Sequence, residues 1–258
     1  MLIHPTIDNM RALRLFAMVH ALETQMEMKD IQEMNFTDRL GLLVDAELIA
    51  RENKRLQSRL RNAKLRLSAC IEDLDVKAAR GLDRTVVTAL ATSDWLKRHQ
   101  NVIVTGPCGA GKTYIACALA HKACRDGYTV FYERAPKLFQ DLALAKADGR
   151  YYKIMTNLAK KDLIVIDDFA LAPLTDEQRR DLLEIVEERY DRHSTLMASQ
   201  VPTDHWHDII GDPTIADAIL DRLIHNAHKL SLKGKTRRKP EEGETNDTEN
   251  KEKKQEDK

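Results

Sequence analysis

One glycine-rich segment has the residue types and spacing of a phosphate-binding loop. It reads Gly106-Pro107-Cys108-Gly109-Ala110-Gly111-Lys112-Thr113 and fits the pattern G-x-x-x-x-G-K-[ST] in full. The glycines let backbone N–H groups turn onto phosphate oxygens, Lys112 can reach the β- and γ-phosphates, and the Thr113 hydroxyl can ligate Mg²⁺. A helix that follows directs its partly positive amino end at the same anion. The loop therefore predicts binding of a nucleoside triphosphate, ATP with Mg²⁺.

Two adjacent acids end a run of bulky aliphatic residues, Leu163–Asp167 (LIVID) followed by Asp168. This run is typical of a buried strand, and we expect Asp167 to hold Mg²⁺, directly or through water, and Asp168 to orient or deprotonate the attacking water. Acids also commonly end strands and cap helices, but the position after a phosphate loop favours the catalytic interpretation. A helix and a strand lie between the two motifs, which predicts that another strand separates the phosphate-loop strand from the acidic strand.

Three further residues are candidates for contact with the terminal phosphate. Gln200 follows the predicted strand 195–199, where it could bind the γ-phosphate or simply lead into a loop. Arg222 has no acid three or four residues away on its predicted helix, so it is a candidate finger for a neighbouring subunit's γ-phosphate. The alternatives for Arg222 are a solvated position and a tertiary salt bridge. Arg238, or Arg237 beside it, could contact phosphate within the subunit or belong to a short basic tail.

The segment 51–66 carries seven bases against one acid. A row of such bases along a helix suits the phosphate backbone of duplex DNA, without reading its sequence, although an ordinary solvated face fits equally well. A smaller basic group surrounds the turn at Gly149. The candidate DNA contacts are Arg51, Lys54, Arg55, Arg59, Lys146, Arg150 and Lys153, with Arg66 farther along the same row, and Leu56, Leu60, Ala63 and Leu67 are expected to form the apolar stripe of that helix.

The hydrophobic periodicity divides the chain into a helical part and an alternating part. Residues 1–78 predict a small all-helical domain, with a boundary at Gly81. From residue 85, helices (85–99, 112–125, 136–147, 176–190 and 213–228) alternate with strands (101–105, 128–133, 163–167 and 195–199), which predicts an α/β fold with a parallel sheet covered on both faces. Residues 239–258 lack aliphatic and aromatic side chains, so a disordered charged tail is expected.

The overall composition excludes some classes of protein. The 258 residues contain 41 bases and 41 acids, so net charge indicates no partner. Apolar runs are shorter than the roughly 20 residues that a membrane helix needs. Four cysteines form no CxxC pair, which suggests free thiols and a reducing cytoplasm.

Long passages resemble one family, the IstB helper ATPases of bacterial insertion sequences, within the AAA+ group that also contains the helicase loader DnaC. The passages that carry the resemblance are GLDR at 81–84, RHQNVIVTGPCGAGKTYIACALAHKAC at 98–124, DDFALAPLTDEQRRDLLEIVEERY at 167–190 and DPTIADAILDRLIHNAH at 212–228. The resemblance implies a P-loop AAA+ ATPase domain at 79–238 without a full lid. It also implies an ATP-dependent helper that binds duplex DNA with little sequence preference, oligomerises on it, deforms it and recruits a transposase.

The resemblance also implies roles for particular residues. Arg222 matches the family's arginine finger, and Gln200 falls on its first sensor position. Arg238 falls on a late arginine, although Lys235-Thr-Arg replaces the more usual Glu-Ser-Met or Glu-Ser-Leu. Asp168 stands where many AAA+ enzymes carry Glu, and its shorter side chain implies slow, switch-like hydrolysis. A DnaC-like replicative helicase loader is the main alternative, and a small-molecule nucleotide kinase is another.

Overall fold

The computed structural model describes residues 5–76 and 81–233. Three helices come first, and the alternating part follows. The helices are α1 (Pro5–Ala12), α2 (Phe16–Glu27), α3 (Phe36–Ala63), α4 (Arg84–Ala91), α5 (Asp94–Lys97), α6 (Lys112–Arg125), α7 (Ala135–Ala147), α8 (Tyr151–Ala159), α9 (Asp176–Arg189), α10 (Trp206–Ile210) and α11 (Pro213–Ile224). The strands are β1 (Asn101–Thr105), β2 (Val130–Arg134), β3 (Leu163–Phe169), β4 (Ser194–Ser199) and β5 (Ala227–Ser231). Short 3₁₀ helices occur at Ile31–Glu33, Ile71–Asp73 and Thr203–His205.

The strands of the described residues form one parallel sheet in the order β2-β3-β4-β1-β5. Strand β4 lies between β1 and β3, which confirms the predicted separation of the phosphate-loop strand from the acidic strand. Because all strands run the same way, the carboxyl ends of β1, β3 and β4 and the residues that follow them lie at one end of the sheet. The phosphate loop, Asp168 and Gln200 are therefore brought together, and the predicted α/β fold is confirmed.

Both faces of the sheet are covered by helices, as the nearly continuous aliphatic strands predict. Side chains alternate along β1, so that Val102 and Val104 pack with α6 on one face while Ile103 packs on the other. The second face is covered by α7 to α11, with Trp206 among the residues that are fully buried there. The strands that lead into the site are thus buried between two layers of helices.

Helix α3 is long and contacts both parts of the chain. It begins at the cap Asn35, whose side chain accepts a hydrogen bond from the Asp38 amide, and it ends at Lys64, which has a φ of 51°. In its amino-terminal half, the Glu47 carboxylate accepts hydrogen bonds from the amides of Ala17 and Met18 at the start of α2. Near its carboxyl end, Leu56, Leu60 and Ala63 pack into the core on the α6 face of the sheet.

The segment after α3 belongs to the same core as the end of that helix. Ala69 is buried there, and Leu65, Ile71 and Leu74 pack against the cluster. Leu67 was expected to continue the apolar stripe, but it lies beyond the end of α3 and is exposed. The division into domains at residue 78 stays a prediction, because residues 77–80 lie outside the described residues.

Several predicted element bounds were wrong. The predicted helix 85–99 is two helices, because Ser93 adopts a left-handed φ of 59° between α4 and α5. Helix α8 was not predicted. The helix expected to reach residue 228 ends at Ile224, and residues 227–231 instead form β5, which pairs with β1 along the edge of the sheet. Arg237, Arg238 and the predicted tail 239–258 lie outside the described residues.

None of the helices within 5–76 and 81–233 combines the length and the apolar character needed to cross a membrane.

Candidate nucleotide-binding site

The phosphate loop connects β1 directly to α6, as its mechanism requires. Gly106 has a φ of 147°, and a Cβ at this position would lie only 2.7 Å from the Leu232 carbonyl oxygen. Gly111 caps α6 with a φ of 98°, a backbone conformation that residues other than glycine rarely adopt. The pattern of glycines thus follows from the path of the loop, which turns its backbone toward the amino end of α6.

Lys112 is folded across the loop that precedes it. Its Nζ donates hydrogen bonds to the carbonyl oxygens of Gly106 and Pro107, both at 2.9 Å, and the residue is only 7% exposed. This burial lowers the pKa of the Lys112 ammonium. Both present acceptors are neutral, so the anionic oxygens of a triphosphate would be stronger partners for the same group.

Asp167 lies at the centre of a small buried polar cluster. Its Oδ2 accepts hydrogen bonds from the hydroxyls of Thr113 and Tyr132, each at 2.8 Å, while its Oδ1 accepts from the Asp168 amide at 2.9 Å. Asp167 is fully buried, and burial together with the Asp167 carboxylate raises the pKa of Tyr132. The Tyr132 hydroxyl therefore stays protonated and acts as a donor near neutral pH.

The residues present fit a magnesium ion bound with a triphosphate. The Thr113 hydroxyl and the Asp167 carboxylate lie within hydrogen-bond distance of each other, and they are the oxygen ligands that hold Mg²⁺ in phosphate-loop enzymes. The described part of the chain contains no cluster of three His, Cys, Asp or Glu residues that would make a metal site without substrate. Mg²⁺ usually takes its remaining ligands from water and phosphate oxygens.

Asp168 adopts a left-handed backbone conformation, with a φ of 55°. This region is uncommon for residues other than glycine, although aspartate tolerates it. Residues held in this conformation often occur at functional sites. The Oδ2 of Asp168 lies 3.7 Å from Nη1 of Arg66, which follows the end of α3. Arg66 was expected along the basic face of α3, but it lies at the nucleotide site instead.

These residues border one cavity of about 820 Å³. A volume of this size is within the range of pockets for small molecules and nucleotides. The residues that line it include Arg66, Gly109, Lys112, Thr113, Asp168 and Gln200. Gln200 therefore lies where the sequence predicted it, whereas the hydroxyl of the neighbouring Ser199 is buried and donates to the Phe169 carbonyl oxygen.

Comparison with known proteins decides the family. The model of the IstB-like ATP binding protein family matches residues 8–245. The chain belongs to this family. An insertion sequence ATP-binding protein of Sinorhizobium fredii is 46% identical over 239 residues, covering 93% of this chain and 98% of the relative.

Solved structures show which fold this IstB-like protein has. The DnaC helicase loader matches with a TM-score of 0.54 at 17% identity, over 66% of this chain and 100% of the loader chain. The replication initiator DnaA bound to AMPPCP and single-stranded DNA matches with a TM-score of 0.54 at 16% identity, over 67% of this chain and 52% of DnaA. The IstB-like protein is thus an ATP-binding ATPase with the AAA+ fold, a helper of the insertion-sequence type.

Arg222 lies beside the amino end of β1, whereas the nucleotide cavity lies at the carboxyl ends of the strands. Its carbonyl oxygen accepts a hydrogen bond at 3.1 Å from Asn101, the first residue of β1, whereas the phosphate loop follows the last residue, Thr105. At about 3.3 Å per residue, the strand alone separates the two by roughly 13 Å. The guanidinium contacts Glu187 of α9, with 3.2 Å between Nη2 and Oε1, and the Ala218 carbonyl oxygen. Helical spacing alone could not reveal the Glu187 partner.

The predicted DNA contacts of the IstB-like protein fall into two groups. Four have acidic or carbonyl partners: Arg51 with Glu47, Arg59 with the Cys124 carbonyl, Lys146 with Glu177 and Asp181, and Arg150 with Asp148. Lys54, Arg55 and Lys153 are exposed and have no ion pair within the described residues. These three side chains are free to bind an external phosphate, and the DNA role of all seven stays a prediction.

Sequence reasoning missed two residues at the nucleotide site. Tyr132 was not singled out, because a single tyrosine in β2 carries no motif, and its partner Asp167 is 35 residues away. Arg134, which ends β2 and lines the cavity, was also missed. The signal that could have found them was topological, since β2 neighbours β3 and its carboxyl end must reach the same edge of the sheet.

Proposed function

We propose that this chain is an ATP-dependent helper of transposition that oligomerises on duplex DNA and recruits a transposase. The observation that carries the proposal is the placement of Arg222 and the phosphate loop at opposite ends of strand β1. Family membership supports the transposition context, because relatives are named as insertion sequence ATP-binding proteins.

The ATP site assigns a role to each side chain. Lys112 exchanges its carbonyl acceptors for the β- and γ-phosphates, and Thr113 and Asp167 hold Mg²⁺. When bound, Mg²⁺ neutralises charge that develops on the phosphate oxygens. Asp168 orients the attacking water and accepts its proton, while Gln200 positions the water or the terminal phosphate from the next strand. A carboxylate as short as that of Asp168 fits slow hydrolysis.

The arginine finger requires a second subunit. Arg222 cannot reach its own phosphate loop, because β1 lies between them. In this proposal it contacts the phosphate loop of a neighbouring copy instead. The contact with Glu187 is partly exposed, and such pairs contribute little to stability, so exchange of Glu187 for a phosphate requires little free energy. Hydrolysis is then coupled to self-association.

DNA binding in this proposal depends on local rather than net charge. Lys54 and Arg55 lie on consecutive positions of α3, and Lys153 lies on α8. Lysine and arginine contacts to backbone phosphates give affinity without sequence preference. The ATP-bound oligomer would add such contacts together along the duplex.

The decisive experiment is to measure the mass of the full chain with a short duplex by light scattering, with and without ATP. We expect a large complex only when ATP and DNA are both present, and Lys112→Ala should not form it. A protein that does not bind duplex DNA but binds a replicative helicase in the presence of ATP would instead be a helicase loader. A monomer that phosphorylates a small molecule would be a kinase, and either result would overturn the proposal.

A further inference from the structure

We propose that Arg66 recognises the terminal phosphate of ATP and, without nucleotide, pairs with Asp168 and holds it back from catalysis. This inference rests on the proposed ATP site and adds a residue to it. Arg66 lines the same cavity as Lys112, Thr113 and Gln200.

The Arg66–Asp168 pair has the geometry of an exchangeable contact. The distance between Nη1 and Oδ2 is 3.7 Å, longer than a hydrogen bond, and the two side chains are 49% and 21% exposed. Exposed ion pairs of this kind contribute little to folding. The pair therefore does not hold the fold together, and a more highly charged anion can take the place of Asp168.

The backbone around Arg66 is held far more firmly than its side chain. Ala63 and Ala69, on either side of it, are buried in the core on the α6 face of the sheet, and the neighbouring Leu65 packs against the same cluster. The backbone of Arg66 is consequently anchored beside the phosphate loop, while its long side chain can move between partners.

The identity of the ligand follows from the neighbours of Asp168. The Asp168 amide bonds to Asp167, and Asp167 in turn accepts a hydrogen bond from Thr113 of the phosphate loop. Thr113 and Asp167 mark the side of the cavity where the metal and the terminal phosphates bind. Arg66 lies on this side and supplies a planar donor that suits phosphate.

Two consequences follow from the exchange of partners. ATP is favoured over ADP, because ADP lacks the phosphate that Arg66 contacts. In the absence of ATP, the Asp168 carboxylate faces a guanidinium instead of a water molecule. Binding of the triphosphate releases Asp168 at the moment when there is a bond to hydrolyse.

The test compares the affinities of the full chain for AMPPCP and ADP, each with Mg²⁺, by calorimetry. Arg66→Gln should weaken AMPPCP binding about tenfold and ADP binding less than twofold, as expected for removal of one charged hydrogen bond. Arg66→Lys should keep part of the preference, because it retains the charge. Arg61→Gln, which changes an exposed arginine in the last turn of α3, is the matched control and should bind both nucleotides normally.

An unchanged ratio of the two affinities in Arg66→Gln would overturn the proposal, and so would an equal weakening of both ligands, which would indicate a structural role in the cavity wall. Lys112→Ala separates these failures from failure of the ATP site itself. If Lys112→Ala abolishes binding while Arg66→Gln behaves like the wild type, the site stands and only the role of Arg66 is rejected. If Lys112→Ala also binds normally, the ATP site is misassigned.

Discussion

The hydroxyl of Tyr132 donates a 2.8 Å hydrogen bond to Oδ2 of Asp167, the same oxygen that accepts from Thr113. The Asp167 carboxylate is thus oriented from β2 as well as from α6. Because the pKa of Tyr132 is raised by burial and by Asp167, this donor is present throughout the neutral pH range. Tyr132 is a positioning residue for the Mg²⁺ ligands.

Tyr132→Phe should therefore reduce the amount by which Mg²⁺ strengthens ATP binding, while leaving the fold intact. Removal of one hydrogen bond to a buried carboxylate costs about 1–3 kcal/mol, of which we expect part to appear as lower stability. The measurements are a Mg²⁺ titration of ATP binding and a thermal melt. Tyr152→Phe is the matched control, since Tyr152 is 82% exposed. Identical Mg²⁺ titrations for Tyr132→Phe and the wild type would rule out the positioning role.

The two acids at the end of β3 should respond differently to removal of their charge. Asp167→Asn should weaken Mg²⁺ and ATP binding, because Asp167 contacts Thr113. Asp168→Asn should retain ATP binding but hydrolyse it at least tenfold more slowly, in the range of general-base effects. Binding and turnover are measured separately for each variant. Small and equal effects from both changes would show that the division of roles is wrong.

Reactivity of the cysteines should report occupancy of the loop. Cys108 is exposed within the phosphate loop, whereas Cys117 and Cys124 are buried in α6. Burial raises the pKa of Cys117, and it raises the pKa of Cys124 to about 11, so both lack the reactive thiolate near neutral pH. We expect iodoacetamide to modify Cys108 and ATP with Mg²⁺ to slow that modification, as mapped by mass spectrometry.

The variant Cys108→Ser provides the control for this assay, because the ATP-sensitive signal should disappear with it. Modification of Cys108 at the same rate with and without ATP would argue that the nucleotide does not cover this loop.

DNA affinity should depend on the two exposed bases of α3. The double variant Lys54→Ala with Arg55→Ala should weaken binding to all duplexes alike. The slope of log affinity against log salt should become shallower by about 0.9 for each DNA phosphate that the variant no longer neutralises. The matched control is Lys97→Ala with Arg98→Ala, which removes the same charge from exposed positions after α4. If affinity and salt slope stay the same in the α3 variant, this face is only solvated.

Arg222 should act on the ATP of a neighbouring subunit. Arg222→Ala should bind ATP like the wild type, but its ATPase activity and its ATP-dependent clustering on DNA should fall. Mixing it with Lys112→Ala should restore part of the activity, since one variant keeps an intact phosphate loop and the other an intact arginine. Arg192→Ala is the control, because Arg192 is exposed just after α9. A mixture no more active than its components would count against action between subunits.

The sequence predicted best those elements whose signals are local. Helix α6 was predicted with the same bounds that the structure has, because the loop before it and the glycine after it mark both ends. The start of α9 is marked just as locally, by a capping box in which the Thr175 side chain accepts a hydrogen bond from the Gln178 amide. Strand β5 was missed because it is a partly exposed edge strand with only Leu230 buried, and it therefore lacks the aliphatic run of the central strands.

The site was predictable where its residues form motifs and unpredictable where they meet through the fold. Lys112, Asp168 and Gln200 line the cavity as expected, since β1, β3 and β4 all have their carboxyl ends on that side of the sheet. Arg66 reaches Asp168 from a segment about 100 positions earlier, and Glu187 reaches Arg222 from another helix. No periodicity in the chain encodes either pairing, because each depends on how α3 and α9 pack.

Helix α3 gives the site a mechanical connection to the first part of the chain. Its 28 residues form one unbroken rod about 42 Å long. One end is followed within three residues by Arg66 at the nucleotide cavity. Near the other end, Gln25 of α2 donates a hydrogen bond to the Arg39 carbonyl oxygen. A tilt of only about 5° at the cavity end would displace the far end by roughly 3.7 Å over this length. The rod thus has the dimensions of a lever that converts a small change around a phosphate into a movement on the scale of an atomic contact at the amino-terminal helices.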